Sequence, residues 1–370
     1  MNKPYLIETF NCTDNGSFLW QFQFNGTPPR GDIPTYMVDM SRHAVGFSPA
    51  PGASVVDTVG AGAFFVPPSG CTVYGWDSRA SSTPKWSWHL DNCDASLLYD
   101  EYRNLDVSDD GTTAAFSAFI PDPNGGQDAT PSLHVFNAQT GAVLFDADQK
   151  VAGAGAGTVS VSKNGNYVSW STANGLVVFS PRGQVRDIIK GGGPNELSDS
   201  GAYVVTCTEN GGSLYTFNTA TGKYGKNMTL SPPASPVSPT WFCVDVAMSS
   251  DGSGKEDSEL VSLAWISGDV LTARITTFSM VTGKLTVDWL SATNAKLQTN
   301  PTVRMDEQYV GVALWGDSDD VPTAVVLESG SNKPVFTCAL KAALPPPPPH
   351  THTIPFLCFC GIFRPPVIFK

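Results

Sequence analysis

Histidine, charged residues and familiar catalytic motifs are scarce in this chain. Only five histidines and 15% charged residues occur among its 370 residues. A Gly-x-Ser-x-Gly nucleophile elbow, a P-loop, an HExxH helix and a spaced dinucleotide-binding glycine motif are absent. These absences disfavour the common hydrolases, nucleotide-dependent enzymes and zinc peptidases. We therefore predict no catalytic residue and no organic cofactor, and the expectation leans away from an enzyme.

Basic residues are also few: the chain has 22 Lys or Arg and 34 Asp or Glu. The formal net charge is −12 at pH 7. A surface of this sign repels nucleic acid backbones and anionic lipid headgroups, so neither nucleic acid nor a membrane is an expected partner. No run of about 18 apolar residues is present, which also disfavours a membrane-spanning helix. Solubility is the simpler explanation of the acidic balance.

A polar turn that contains glycine recurs ahead of short apolar stretches. Its copies occupy residues 107–111, 161–165, 197–201 and 248–252, with a weaker echo at 304–307. A second turn, a Thr-Gly pair, recurs at Gly141, Gly222 and Gly283. Few stretches keep a helical apolar period, and the composition includes 35 glycines and 29 prolines. The repeat predicts stacked four-stranded units joined by tight turns.

Six such units can be delimited along the chain. They span residues 36–90, 103–148, 157–190, 196–230, 244–290 and 301–339. With the Ser-x-Asp-Gly type of turn and the Thr-Gly hairpin, the chain resembles the β-propeller repeat superfamily, which includes WD40-like, YVTN-type and quinoprotein-like propellers. The resemblance implies an all-β propeller of four-stranded antiparallel blades and carries little information on activity. A recurring WD40 signature and the adjacent cysteine pair of quinoprotein dehydrogenases are both absent.

The regions outside the six units define the predicted domain organisation. Residues 1–35 form an N-terminal loop region with a candidate closing strand at 18–24, which would pair with the last blade of an incomplete seven-bladed ring. The propeller is expected over 36–344. Residues 345–370 are Pro-rich and lack both turns, so we expect an aberrant or disordered tail, such as a truncated or misspliced coding sequence produces.

Two acidic loops are the candidate metal sites. Each places oxygen ligands at alternating positions, as calcium requires, although neither completes a known calcium loop. The candidate ligands are Asp122, Asn124, Asp128, Asp317, Asp319 and Asp320. Solvated turn residues are the alternative interpretation. Both loops follow the second strand of a blade, so they are expected on the same rim, where a ligand would bind.

Sequons and cysteines bear on the cellular compartment. Asn-x-Ser/Thr sequons occur at Asn11, Asn15, Asn25 and Asn227. The eight cysteines form no C-x-x-C motif, which disfavours a zinc ribbon or a thioredoxin-type pair. The disulfide candidates are Cys71, Cys93, Cys207 and Cys243: the first two bracket a hairpin and the last two flank adjacent blades. Buried free thiols are the alternative.

Three functional hypotheses remain open from the sequence. The first is a non-catalytic binding scaffold, a secreted or lumenal glycoprotein whose propeller rim recognises a protein or a glycan. The second is a quinoprotein-like or other propeller enzyme with a site in the central channel. The third is a cytosolic interaction platform of the WD40-like kind. Sequons and dispersed cysteines favour the extracellular or secretory location, although no signal peptide is visible at the N-terminus.

Overall fold

Short strands separated by tight turns make up most of the described structure. A computed structural model represents the 370-residue chain. The residues that it describes are 6–11, 17–23, 36–40, 59–65, 71–77, 83–90, 104–108, 110–120, 130–153, 156–180, 182–198, 200–208, 211–235, 237, 238, 240–249, 255, 256, 258–269, 272–291, 301–305, 309–314 and 323–339. Two compact units are present: unit 1 comprises residues 1–206 and 215–227, and unit 2 comprises 207–214 and 228–370.

The strands group into one two-stranded sheet and six four-stranded sheets. The two-stranded sheet contains β1 (Leu6–Asn11) and β2 (Ser17–Gln23). Blade 1 contains β3 (Tyr36–Met40), β4 (Val59–Phe65), β5 (Cys71–Asp77) and β6 (Trp86–Leu90). Blade 2 contains β7 (Leu105–Val107), β8 (Thr113–Ile120), β9 (Thr130–Asn137) and β10 (Val143–Ala147). Blade 3 contains β11 (Ala156–Val161), β12 (Val168–Thr172), β13 (Gly175–Phe179) and β14 (Val185–Ile189).

Three further blades complete the described strands. Blade 4 contains β15 (Asn195–Leu197), β16 (Tyr203–Thr208), β17 (Gly211–Asn218) and β18 (Lys223–Leu230). Blade 5 contains β19 (Trp241–Ser249), β20 (Leu260–Ser267), β21 (Ala273–Ser279) and β22 (Leu285–Leu290). Blade 6 contains β23 (Thr302–Met305), β24 (Tyr309–Leu314), β25 (Thr323–Glu328) and β26 (Pro334–Ala339). The short helix α1 (Gln149–Ala152) follows β10 and was not expected. It begins where the Asp148 carboxylate accepts a hydrogen bond from the Lys150 amide at 2.9 Å.

Each four-stranded sheet is a meander whose strands follow one another in chain order. Within unit 1, the first strands β7, β11 and β15 each pack against the preceding blade. Within unit 2, β23 packs against β19 and β20. Meanders that stack through their first strands are β-propeller blades. The predicted all-β propeller fold with six blades is therefore confirmed, and the sheets begin and end close to the predicted limits.

The candidate closing strand is present as β2. It pairs antiparallel with β1, with Glu8 opposite Gln21. Among the described residues, its hydrogen-bonded neighbour is thus the strand that precedes it in sequence. The prediction of a strand is confirmed, and among the described residues that strand forms a separate hairpin with β1.

The core lies between successive blades. Central strands such as β12, β13, β20 and β21 are buried along their whole length, whereas the fourth strands β10, β14 and β18 consist mostly of partly buried and exposed residues. Of these, β13 is the apolar run expected of a strand covered on both faces, whereas β12 and β21 also bury serine, threonine or arginine side chains. Two indoles in this core are fully buried, and each donates a hydrogen bond to a hydroxyl: Trp170 to Ser117 at 2.9 Å and Trp265 to Thr276 at 2.8 Å.

The recurring polar turn owes its sequence to a buried serine. In blade 3, the Ser162 hydroxyl accepts from the Tyr167 amide at 2.9 Å and donates to the side-chain oxygen of Asn164 at 2.9 Å. Gly165 then adopts a φ of 67°, a left-handed conformation that favours glycine, and its amide bonds the Ser162 carbonyl. Ser108 and Ser198 accept the equivalent backbone amide hydrogen bonds in blades 2 and 4, from Thr113 and Tyr203.

The first strands are also tied to the next blade by side chains. The Asp106 carboxylate accepts from the Val161 amide at 2.5 Å, and the Ser160 hydroxyl accepts from the Leu197 amide at 3.3 Å. In unit 2, Asp245 accepts from the Val303 amide at 2.8 Å. Each contact satisfies a backbone donor on a strand that is the edge of its own sheet. The stacking of blades is therefore specified by hydrogen bonds as well as by apolar packing.

Candidate functional site

The predicted site residues divide between the described and undescribed parts of the chain. Those outside the described residues are Asn15, Asn25, Cys93, Asp122, Asn124, Asp128, Asp317, Asp319 and Asp320. Calcium binding by the two loops therefore stays a prediction. Asn11 ends β1, Cys71 begins β5, and Asn227 lies in β18, where its side chain is exposed. Glycosylation and any bridge from Cys71 likewise stay predictions.

Cys207 and Cys243 form a disulfide within unit 2. Their Cα atoms are 5.4 Å apart and they are separated by 36 residues in sequence. Cys207 lies in β16 and Cys243 in β19, and both side chains are buried. The structure thus contains one of the predicted disulfides, and Cys207 is bonded to Cys243 and is not a free thiol. Disulfides persist in oxidising compartments, so this bond favours an extracellular environment.

An ordered array of serine, histidine and aspartate is present in blade 2. His134 in β9 contacts the Asp146 carboxylate in β10 through Nδ1 at 2.7 Å. Its Nε2 lies 3.1 Å from the hydroxyl oxygen of Ser132. Because His134 and Asp146 are register partners in the antiparallel pair, the strand geometry itself brings them together. The indole of Trp88 covers the imidazole, with the ring centroids 4.5 Å apart.

Burial determines the protonation of this array. Desolvation lowers the pKa of His134 below its usual value, and the hydrogen bond and charge of Asp146 oppose that shift only partly. The imidazole is therefore neutral at pH 7, and we assign its single N–H to the shorter contact with the carboxylate. Nε2 is then the acceptor of a hydrogen bond from the Ser132 hydroxyl, which also lies 3.4 Å from the Ala118 carbonyl oxygen.

This order of groups is the one used by serine hydrolases, but the nucleophile is inaccessible. Ser132 is 4% exposed and His134 is 8% exposed. An acyl substrate must reach the serine oxygen within bonding distance, beside donors for the developing oxyanion. The array instead satisfies buried polar groups of β9 and ties β9 to β10. The sequence alone identifies no partner for His134, because the pairing depends on strand register.

Arg186 is surrounded by aromatic rings in unit 1. Its guanidinium carbon lies 3.4 Å from the ring centroid of Phe217, 4.5 Å from that of Tyr167 and 5.5 Å from that of Tyr224. We call these four residues the Arg186 box. Its Nη1 donates to the Gly201 carbonyl at 3.0 Å and to the Tyr224 hydroxyl at 3.2 Å. Arg186 thereby joins blade 3 to blade 4.

A β-bulge aims Arg186 at this box. Val178 pairs with Asp187 and Phe179 pairs with Val185, so Arg186 is the extra residue of β14. The Tyr224 hydroxyl donates to the Gly201 carbonyl at 2.5 Å, and burial raises the pKa of Tyr224 to about 12. The phenol is therefore a fixed hydrogen-bonding group at all ordinary pH values. Sequence reasoning missed the box, although an arginine just after a hairpin turn was a visible signal.

Within the described ranges, no three His, Cys, Asp or Glu side chains gather as metal ligands would. The same ranges contain no helix with the length and apolarity needed to cross a lipid bilayer.

Comparisons with known proteins yielded structural similarities alone. No protein-family model and no curated protein sequence matches the chain. Among solved structures, a putative 6-phosphogluconolactonase from Bacteroides uniformis is similar with a TM-score of 0.46, 14% identity, and coverage of 74% of this chain and 79% of that chain. Hsv2p from Kluyveromyces lactis has a TM-score of 0.43, 13% identity, and coverage of 74% and 72%.

Hydrazine synthase from Kuenenia stuttgartiensis is similar with a TM-score of 0.42, 12% identity, and coverage of 63% of this chain. The match spans 65% of the length of that synthase chain. The assignment of blades above rests on the sheets of this chain.

Proposed function

We propose that this chain is a non-catalytic β-propeller binding scaffold, a secreted or lumenal glycoprotein that recognises a protein or a glycan at the rim of its blades. The observation that carries the proposal is the closed array around His134. The acid–base groups that resemble hydrolytic machinery contact one another and are covered by Trp88. Polar side chains elsewhere, such as Asp106 and Asp245, hold neighbouring blades together.

Two further features support the proposed compartment. Cytosolic reductants keep protein thiols reduced, so a buried bond between Cys207 and Cys243 suits an oxidising environment. Asn227 begins an Asn-Met-Thr sequon in β18, the last strand of its sheet, and its side chain is exposed. A glycosyltransferase would therefore reach it without unfolding the blade.

The acidic net charge of −12 argues against nucleic acid or a bare membrane as the partner. Calcium in the acidic loops is retained as part of the proposal.

The non-catalytic character is tested with a fluorophosphonate probe, which labels activated serines covalently. We expect the purified protein to show no more labelling than the Ser132→Ala variant. His134→Gln is the second comparison, because a working base would be lost in it while the serine remained. Labelling of the wild type that disappears in both variants would establish a hydrolase and refute the scaffold.

The compartment is tested by fractionation of the native protein combined with glycosidase treatment. We expect glycosidase to increase the electrophoretic mobility of the secreted protein. Asn227→Gln should remove the share of this shift that comes from β18. The matched control is Asn218→Gln, because Asn218 is also exposed but lies in no sequon. A cytosolic protein insensitive to glycosidase would instead favour the interaction platform of the WD40-like kind.

A further inference from the structure

The middle of this acidic chain is locally basic. Residues 156–230, which make up blades 3 and 4, contain six Lys or Arg and four Asp or Glu, a balance of +2. The other 295 residues carry 16 basic and 30 acidic residues, a balance of −14. The six basic residues are Lys163, Arg182, Arg186, Lys190, Lys223 and Lys226. A concentration of one sign against the sign of the whole protein creates a local potential that attracts anions.

Several of these cations gather at one end of the blades. In a four-stranded meander, the turn between the first two strands and the turn between the last two lie at the same end. Arg182 lies in the turn before β14, and Lys223 follows the equivalent turn before β18. Arg186 contacts the carbonyl of Gly201 in the first turn of blade 4. We call Arg182, Arg186, Lys223 and Lys226 the basic rim.

The basic rim differs from three cations of unit 2 in its lack of ion pairs. In unit 2, Arg274 pairs with Asp288 at 2.7 Å, Lys284 approaches Glu256 at 3.7 Å, and Arg304 approaches Asp245 at 3.7 Å. None of the four rim cations has an acidic partner among the residues that the structure describes. Arg182, Lys223 and Lys226 are exposed, and Arg186 is partly exposed. Their charge is therefore available to a ligand.

Arg186 provides a preorganised donor within this rim. Stacking against Phe217 and Tyr167 fixes the guanidinium plane, and both hydrogen bonds to protein leave from Nη1. Nε and Nη2 have no acceptor in the described part of the chain. These atoms form one edge of the guanidinium fork, whose geometry matches two oxygens of a carboxylate or sulfate. Arg186 covers these aromatic faces, and Val185 and Ile188 of the same strand present exposed apolar side chains.

We propose that the basic rim binds a linear sulfated polysaccharide, with one sulfate or carboxylate seated on the free edge of Arg186. Cations spread over the outer strands of two blades suit a repeating polyanion, which can present a negative charge to each of them. This inference rests on the proposed function and specifies its ligand as a glycan. Binding is measured on purified protein, so its outcome is independent of where the cell places the chain.

The test measures the affinity of the full chain for a heparin oligosaccharide by isothermal titration calorimetry at low and raised salt. We expect binding that weakens as salt is added, since the contacts are between charges. The triple variant Arg182→Gln, Lys223→Gln, Lys226→Gln should raise Kd by about tenfold or more, because each exposed charge contributes modestly. Arg186→Lys keeps the charge but removes the fork, and should also raise Kd.

Matched controls give the test its specificity. Lys255→Gln, Lys284→Gln, Lys333→Gln removes the same charge from exposed positions in unit 2 and should leave Kd within about twofold. Thermal unfolding verifies that every variant is folded. Absence of heparin binding, or an equal loss in both triple variants, would overturn the assignment to the rim. Tighter binding of poly-glutamate than of heparin would overturn the glycan in favour of an acidic protein. A failure of this kind leaves the compartment and the non-catalytic role untouched.

Discussion

Removal of the disulfide between Cys207 and Cys243 should lower the free energy of unfolding by about 4 kcal/mol. The bond closes a loop with a sequence separation of 36 residues. The chain-entropy relation assigns such a loop a loss of about 13 cal/mol/K in the unfolded chain, which corresponds to about 4 kcal/mol at 25 °C. That amount is a large share of the stability of an ordinary domain. The loop includes β17, β18 and the proline-rich segment 231–239, so its reduction should loosen this part first.

The assay compares urea unfolding of the oxidised protein, the reduced protein and the variant Cys207→Ala, Cys243→Ala. The reduced protein retains both sulfur atoms, so its difference from the oxidised form isolates the crosslink. The double variant also loses buried side-chain volume, because Cys207 is 1% exposed and Cys243 is 8% exposed. We therefore expect the order of stability to be oxidised, reduced and then double variant.

A chemical measurement accompanies the unfolding curves. Trypsin without reductant should release peptides 191–223 and 227–255 as one linked species, because these contain Cys207 and Cys243. An oxidised protein whose unfolding midpoint does not change on reduction would refute the estimate of crosslink energy. Recovery of the two peptides as separate species with free thiols would refute the disulfide itself, and with it the main support for an oxidising compartment.

Three other predictions concern single side chains. Desolvation lowers the pKa of His134 in the folded state, so its contribution to stability is complete above about pH 6.5 and is lost as the pH falls. Urea unfolding at pH 7.5 and at pH 5 checks this. The free energy of unfolding should decrease more between these pH values for the wild type than for His134→Gln. Ser198→Ala should lower the free energy of unfolding by about 1–3 kcal/mol, because the Tyr203 amide loses its acceptor. Ser200→Ala in the same turn, where the side chain is exposed, should lower it by less than about 1 kcal/mol. Similar losses for the two variants in chemical denaturation would contradict this account of the turn. Arg274→Met should lower the free energy of unfolding by about 3 kcal/mol, because it breaks a buried bidentate ion pair with Asp288. Lys284→Met loses an exposed ion pair and should change the free energy of unfolding by less than about 0.5 kcal/mol. Equal melting temperatures of the two variants would contradict a stabilising role for the buried pair.

The blades were predictable because their determinants are local. A serine, a polar residue and a glycine within one turn specify the hairpin without reference to the rest of the chain, as Ser162 and Gly165 show. Four copies of that turn and the weaker echo mark five of the six blades. The disulfide was open to prediction only as a candidate, since Cys207 in an apolar strand also suits a buried thiol. Its partner depends on which strands of blades 4 and 5 come close.

The polar arrays were not predictable because they depend on register and on neighbouring blades. His134 meets Asp146 only after β10 has paired with β9. Arg186 meets Phe217 and Tyr224 from the next blade, more than thirty residues further along the chain. A shift of one residue in either strand would turn these side chains to the opposite face. No window of sequence that contains one strand holds this information.

Several fourth strands contain a β-bulge, which explains how Arg186 reaches its aromatic neighbours and why the sequence did not predict this contact. In four blades, the strand register shifts by one residue just after the last hairpin. The extra residues are Leu144, Arg186, Thr286 and Val335. A bulge increases the twist of the outer strand and releases one side chain from the alternation of the sheet. The released side chain can point away from its own blade without removing a core residue. In blade 3 that side chain is an arginine, and it reaches the neighbouring blade. The same position in the other blades is therefore where a substitution could add a contact or a ligand group at little cost to the fold.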